Sequence, residues 1–527
     1  MDAVTGSAAK PQANSQTNSQ TNSQTNSQAN SQAQFNIFIF RRDYRIVDNN
    51  GLNDLDGEKL PIWPLFIFNP AQIDPKKNRY FASNCFQFLV ESLQDLQKRL
   101  RAAGSDLTVL YGNTEEVMEA LVALKPTQVQ SNKDYTPYAR ERAAKLDKIC
   151  KARNIIYAEV EDYLLNPLYL EIFNGSGDPF VKFTPYYNKA HAHPIDKPSK
   201  HKPAYLMNAA QQKKLLSKLP KSLHYSLESA KSLYTPNPQL LHHGGRTAGL
   251  PVLKSIGKRA MHYANMRDRL AHPTSEMSAY NKFGCFSVRE VYYEMRAQIP
   301  ASPSREALLR QLYWRDFYYR IAWYYPSVLA SFKSQNRNFQ PKYGKVPWFS
   351  SLRSDHVSYT APTKQALANF KAWCEGRTGV PIVDACMRQL NTTGYMHNRG
   401  RLIVSGFLIK NLHWSWEDGE LYFAKQLYDY DPAQNSGGWQ WGSGSGTDSQ
   451  PYFRILNPWK QGLDHDPEAV YIKRWIPELE KVPAKHIHEW NEYCNYSEYE
   501  SIKYPVPVVE VSESVAETRK LYAKGLK

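Results

Sequence analysis

Cysteine is scarce: six residues in 527 (Cys85, Cys150, Cys285, Cys374, Cys386 and Cys494), with no CxxC pair among them. This excludes a zinc ribbon, a thioredoxin-like redox motif and a dense disulfide scaffold, and a reducing compartment is the expected setting. No apolar run approaches the ~18 residues needed to cross a bilayer. The N-terminus also lacks the apolar stretch of a secretory signal. No membrane association is expected, and an intracellular location follows, with nucleus and cytoplasm both open. Residues 14–34 lack any apolar side chain larger than Ala and repeat NSQT or NSQA. Such a segment cannot bury enough surface to order itself, so 1–34 reads as a disordered tail. Its sole basic residue is Lys10, too few for a transit peptide.

Basic charge and aromatic rings are abundant. Lys+Arg 66 against Asp+Glu 50 leaves +16, which suits a polyanionic partner or simply a soluble basic protein. Twelve Trp, 35 Tyr and 21 Phe imply large packed surfaces, and Trp also serves stacking and electron transfer.

The β-forming runs FNIFIF (35–40), PIWPLFIF (61–68) and DLTVLYG (106–112) flank an amphipathic helical stretch, 85–103, with Phe88, Leu89, Leu93, Leu96 and Leu100 on one stripe. Strand–helix alternation continues through 121–129, 139–150 and IIYAEV, predicting a doubly wound parallel-sheet α/β domain at 35–165. Residues 166–250, rich in Pro, Lys, Asn and His, read as a long inter-domain linker with short helices. From 251 to 527 the periods are helical (251–270, 288–298, 305–324, 363–373, 380–390, 399–410 and 419–426), predicting an all-α domain. Any cofactor should lie between its helices.

Three blocks carry candidate chemistry. In Gly376–Lys410 the polar residues Asp384, Arg388, Asn391, His397, Asn398, Arg399 and Arg401 recur at helical spacing among apolar ones. They suggest a ligand cleft, the alternative being packing staples bonded to backbone. In DYDPAQNSGGWQW (429–441), Asp429 and Asp431 lie in what reads as a loop. They could cap a helix or take a ribose or amine; no His or third carboxylate supports a metal, and no metal is expected. GSGSG (442–446) lacks the Gly-Lys-Ser/Thr of a phosphate loop. HPTSEMS (272–278) offers two hydroxyls before a helix, either an N-cap with Glu276 in the first turn or a phosphate site.

RRDYRIVDNNGL (41–52), TSEMS, QLYWRDFYY (311–319), GRTGVPIVDACMRQLNTTGYMHNR and NSGGWQW together resemble the DNA photolyase and cryptochrome family, in family order from about 35 to 527. GWQWGSGSGTDSQPYFRILNP most resembles the microbial cyclobutane-dimer photolyases. The resemblance makes the helical region a flavin-binding domain holding a U-shaped FAD. Tyr263, Thr274, Ser275, Glu276, Met277 and Ser278 would surround its phosphates. Arg315, Arg401, Asp429, Tyr430 and Asp431 would line flavin and ribose, and Asn435 would face flavin N5. Trp439 and Trp416 match the first two members of the family's electron relay; Tyr359, Trp373 and Trp348 compete for the third place. Trp314 and Trp441 would flank a flipped-out pyrimidine dimer, Asn398 would bond a base edge, and Arg267, Arg399 and Arg454 would take phosphates.

Two positions depart from the dimer-photolyase pattern: Gln311 replaces Glu, and Leu402 replaces Met. Gln still exchanges hydrogen bonds but has no acidic proton to share with a base radical anion. The (6-4) photolyases carry Gln there too, yet have His where Asn398 stands. The implied activity is light-driven repair of cyclobutane pyrimidine dimers in damaged DNA by a carbon–carbon lyase, acting as a monomer. The alternatives are a cryptochrome-like photoreceptor and (6-4) repair. After WIPEL (475–479) no long signalling tail remains. A second chromophore, folate or deazaflavin, is a further implication.

Overall fold

The computed structural model describes residues 34–329, 339, 345–352, 359–449, 451 and 453–526. The expectation for the tail falls on residues 1–33, outside them.

Five strands, β1 (Asn36–Ile39), β2 (Ile62–Phe68), β3 (Thr108–Tyr111), β4 (Gln128–Asn132) and β5 (Ile156–Val160), pair in parallel in the order β3-β2-β1-β4-β5. Side chains alternate across a strand, so a run apolar at nearly every position must be covered on both faces. Phe38, Phe40, Phe66 and Phe68 enter one core, while Ile37, Ile39, Leu65 and Ile67 enter another. Helix α1 (Ser83–Ala102) covers the first face through Phe88, Leu93, Leu96 and Leu100. Helices α2 (Thr114–Val122) and α3 (Pro137–Lys151) cover the second. The strand order reverses at β1, the place where open sheets of this kind present a crevice.

The segment after β5 does more than connect. Ile62 donates to the Tyr205 carbonyl and accepts from the Met207 amide, both at 2.8 Å, fixing this segment to the start of β2. Helix α4 (Phe183–His191) buries Phe183, Tyr186 and Ala190.

Among the described residues no strand follows β5. The principal later helices are α5 (Arg246–Lys254), α6 (Pro303–Tyr324), α7 (Lys364–Glu375), α8 (Pro381–Thr393), α9 (Asn398–Lys410), α10 (Trp416–Gln426), α11 (Pro432–Ser443) and α12 (Val511–Leu526). Two expectations need correction. The helical period over 251–270 is three short helices, Arg246–Lys254, Ile256–Ala260 and Tyr263–Met266, interrupted at Ser255 and His262. In the 429–441 block the two carboxylates lie in a loop as expected, but the rest is helix: Asp431 caps α11 by accepting from Ala433 and Gln434 amides at 3.1 and 3.2 Å, with Pro432 as its first residue. Gly437 lies inside that helix because a β-carbon there would stand 2.3 Å from the Tyr318 ring.

Candidate functional site

Helix α9 begins with a division of labour at adjacent residues. His397 is its N-cap, and Nδ1 accepts from the Arg399 amide at 3.1 Å. Nε2 is thereby aimed into the protein, buried without a partner among the described residues. Burial pushes this imidazole down to about 4, so it is neutral near pH 7. Asn398, one residue on, is exposed.

One turn into α9, Arg401 donates to the Met396 carbonyl at 2.9 Å and to Asp429 Oδ2 at 2.8 Å. Burial alone would weaken its hold on a proton, but the Asp429 carboxylate outweighs that and raises its pKa. Asp429 Oδ1 and the Tyr428 hydroxyl are buried and, like His397 Nε2, bond to nothing described. Leaving such groups unpaired costs about 1–3 kcal/mol each. Three of them around a fixed ion pair therefore fit a ligand rich in hydroxyl, phosphate and ring-nitrogen partners, as a flavin dinucleotide is.

The Thr274–Ser278 loop lies beside this cluster, since the Glu276 charge acts on His397, Tyr395 and Tyr428. Arg259 pins it by donating to the Thr274 and Ser275 carbonyls at 3.1 and 2.9 Å. Glu276 does not occupy a helical first turn as expected. It has φ 54° and turns its carboxylate to His242 at 3.0 Å, and the following five-residue helix starts at Ser278 with buried Met277 as its cap. Tyr263 is half-buried, and burial raises its hydroxyl pKa to about 12.

The two carboxylates of the DYD triplet diverge. Asp429 meets Arg401, whereas Asp431 Oδ2 accepts from Arg42, just past β1, and from the Tyr319 hydroxyl. Arg42 also donates to Tyr163 and Tyr319 hydroxyls at 2.8 and 2.7 Å. Arg315 joins the same cluster, donating to the Tyr163 carbonyl at 2.8 Å with its guanidinium 3.9 Å from that ring. Arg315 and Asp431, expected beside a ribose or flavin, make these bonds at the junction between sheet and helices. Tyr430 stacks on Tyr80, with centroids 5.9 Å apart. Asn435, on α11, donates to the Glu420 carbonyl at 3.1 Å.

Trp439, one turn beyond Asn435, is buried edge-on to Phe423 at 5.0 Å and Trp373 at 6.2 Å. Trp373 is fully buried, its indole donating to the Val404 carbonyl at 3.1 Å. Trp416 opens α10, buried in the same core. Tyr359 donates to Glu417 Oε2 at 2.9 Å and accepts from Ser415 Oγ at 3.2 Å, so its phenol contacts both neighbours of Trp416. Trp348 instead packs edge-on to Tyr522 at 5.2 Å.

Around the outside, Gln311 is exposed and donates to the Ala307 carbonyl at 3.1 Å. Trp314 lies face to face with Phe183 of α4, centroids 3.6 Å apart and planes 6° from parallel. Trp441 and Leu402 are half-buried. Arg267 and Arg454 are exposed, and Arg399 is held by Asp268 at 2.8 and 3.2 Å. Phe183, Asp268, Arg259 and Arg42 were not singled out in the sequence; only the aromatic density of FTPYY hinted at Phe183.

Three polar residues of the 376–410 block are packing staples. Asp384 accepts from Thr378, Gly379 and Tyr504, Arg388 from its helix reaches the Gly376 carbonyl and Glu478, and Asn391 donates to the Cys374 carbonyl. Of the block's polar residues, His397 and Arg401 join the cluster around Asp429.

Two family models and several known proteins match this chain. Residues 36–204 match the family described as DNA photolyase, and 308–524 match the FAD binding domain of DNA photolyase. A deoxyribodipyrimidine photo-lyase of Halobacterium salinarum is 32% identical over 90% of this chain and 96% of its own length. The archaeal photolyase of Sulfolobus tokodaii, solved with two FAD molecules, superposes with a TM-score of 0.77 at 34% identity, covering 93% of this chain and 99% of that one. A Synechocystis cryptochrome superposes at 0.80 with 25% identity, covering 92% and 99%.

Proposed function

This chain belongs to the DNA photolyase and cryptochrome family, and we propose that it is a deoxyribodipyrimidine photo-lyase that uses blue light to split cyclobutane pyrimidine dimers in DNA. Bound reduced FAD supplies the photochemistry, an electron lent to the lesion and then returned. The protein's own residues hold, insulate and present. Arg401 and Asp429 would anchor the flavin region, the unpaired Asp429 Oδ1, Tyr428 hydroxyl and His397 Nε2 would receive its polar atoms, and the Thr274–Ser278 loop would take the phosphates. Trp439 and Trp416 form the route by which electrons reach the flavin from the protein.

The observation that carries the choice of lesion is the pair His397–Asn398. The motif's imidazole is turned inward, neutral and used as a helix cap, while an amide that cannot transfer a proton faces outward. Splitting a cyclobutane ring and returning the electron requires no net proton transfer, so this outward surface suits it. Trp314, backed by Phe183, and Trp441 offer rings against which extruded bases stack. Arg267 and Arg454, with the +16 balance, suit the phosphate backbone.

The test is to incubate photoreduced protein with DNA carrying defined cyclobutane dimers under blue light, with a dark control. Loss of dimers in the light alone is expected. Loss of (6-4) lesions instead overturns the assignment of lesion. A photoreducible flavin with neither repair indicates a photoreceptor.

A further inference from the structure

Lysine is almost never fully buried, because its ammonium gives up water that the interior seldom replaces. Lys410, the last residue of α9, is an exception at 1% exposure. Its Nζ donates to the Arg454 carbonyl at 2.8 Å, the one side-chain bond it makes among the described residues. Burial, with the Arg454 charge acting in the same sense, pushes this ammonium from 10.5 down to about 8. It therefore stays mostly charged near pH 7, against the pull of desolvation. A methionine would fill the same space without that opposition. What lysine adds is a long, charged donor that reaches a loop carbonyl.

Both ends of this contact are held. On the helix side, the Lys410 carbonyl accepts from the Thr518 hydroxyl of α12. The next residues are tied to the same helix: Asn411 donates to Ser514 Oγ at 2.8 Å, and His413 Nε2 donates to the Ser514 carbonyl at 3.1 Å. On the loop side, the Arg454 amide donates to the Pro451 carbonyl at 3.0 Å, closing a turn. Both backbone polar groups of Arg454 are thus engaged, while its side chain is exposed.

We propose that Lys410 is a positioning residue for DNA binding: by holding the Arg454 carbonyl it fixes the turn from which the Arg454 guanidinium meets a backbone phosphate. This rests on the reading of Arg454 as a phosphate contact given above. A guanidinium that starts from a fixed turn has less freedom to lose on binding. The helix also acts as a spacer. Asn398 is its first residue and Lys410 its last, about 18 Å apart at 1.5 Å per residue. The place where the Arg454 backbone is held is therefore set, through α9, relative to the amide that faces the lesion. In this arrangement α12 supports the DNA contact from behind without touching DNA.

The experiment is equilibrium binding of the FAD-loaded holoprotein, in the dark, to a short duplex with or without one cyclobutane dimer, over a series of salt concentrations. Each phosphate contact contributes about 0.9 to the slope of log K against log salt. Arg454→Gln should reduce that slope by about 0.9. Lys410→Met should reduce it comparably and weaken both duplexes several-fold by the same factor, because phosphate contacts carry no lesion information. The double variant should be no worse than Arg454→Gln alone. Additive losses would show that Lys410 acts through its own charge, and overturn the proposal. So would a weakening confined to the dimer duplex, or an unchanged slope in Lys410→Met where Arg454→Gln lowers it. An unchanged slope in Arg454→Gln itself defeats the phosphate reading, and the proposal with it. Should Lys410→Met fail to fold, Lys410→Gln, a donor without the reach, takes its place with the same expectations.

Discussion

Replacing Gly419 by alanine adds one methyl group to the interior of α10, and two effects of opposite sign compete. In an open helix the change would stabilise by about 1 kcal/mol, because glycine is the poorer helix former. Here the new carbon would stand 2.2 Å from Trp439 Cη2, 2.4 Å from Cζ3 and 2.6 Å from Leu408 Cδ2. Carbon atoms rest at about 3.5 Å or more, so the Trp439 ring would have to retreat by roughly 1.3 Å. It has little room to do so, since Phe423 and Trp373 meet it edge-on at 5.0 and 6.2 Å. Overpacking of this kind typically costs about 1–3 kcal/mol. Over most of that range the clash outweighs the ~1 kcal/mol propensity gain, and Gly419→Ala should be destabilised by up to about 2 kcal/mol net. Thermal unfolding followed by tryptophan fluorescence measures it. Flavin photoreduction in the same variant should slow, because the displaced ring is the proposed first donor. A variant that melts at or above the parent temperature would refute the packing argument, and unaltered photoreduction would refute the placement of Trp439.

His397 makes the native state sensitive to acid. Its imidazole is pushed from 6.5 down to about 4 by burial, so between those values the unfolded chain binds more protons and stability falls as pH drops. The full effect is about 3 kcal/mol at the usual 1.36 kcal/mol per pH unit, and His397→Asn, which can still cap α9, should flatten that limb in unfolding titrations. Arg42→Met leaves the Asp431 carboxylate buried without its cation, a loss of about 3–5 kcal/mol that should appear as a lowered melting temperature. Phe183→Leu removes the ring behind Trp314; the lost pair, about 0.5–1.5 kcal/mol, should weaken binding to dimer-containing DNA several-fold in a gel-shift titration, with undamaged DNA unaffected.

Much of the architecture was legible because it follows from local rules. Runs such as FNIFIF are apolar at both parities, which requires a strand covered twice, and the five strands fall where those runs lie. The 376–410 block was legible as a mixture of polar and apolar residues, but not which polar residues gather at the Arg401–Asp429 pair. Asp384 and Arg401 look alike in sequence; one ties down a turn and a distant tyrosine, the other faces Asp429. The 429–441 segment misled for a physical reason. Two adjacent glycines and two acids suggest a loop, yet glycine is there for contact with Tyr318, and an acid is there as a cap whose second oxygen reaches a residue 389 positions away. Partners that distant leave no periodic trace. Phe183 was hidden likewise, since its stacking partner lies on a helix more than a hundred residues on.

The aromatic face of the sheet has a consequence for how the molecule moves. Phe38, Phe40, Phe66 and Phe68 share a single continuous core with Leu253, Ile256, Tyr280, Leu308 and Phe317 of the later helices and with Tyr428 in the turn before α11. At that layer residues 35–160 are joined to the later segments by packed apolar side chains, so hinge bending there would tear a hydrophobic interior. The two parts should melt in one transition and resist expression as separate fragments. A chromophore seated at the open end of the sheet would keep a constant distance and orientation to the Arg401–Asp429 pair. Resonance transfer of excitation, steep in both quantities, would run in such a body without waiting on a conformational change.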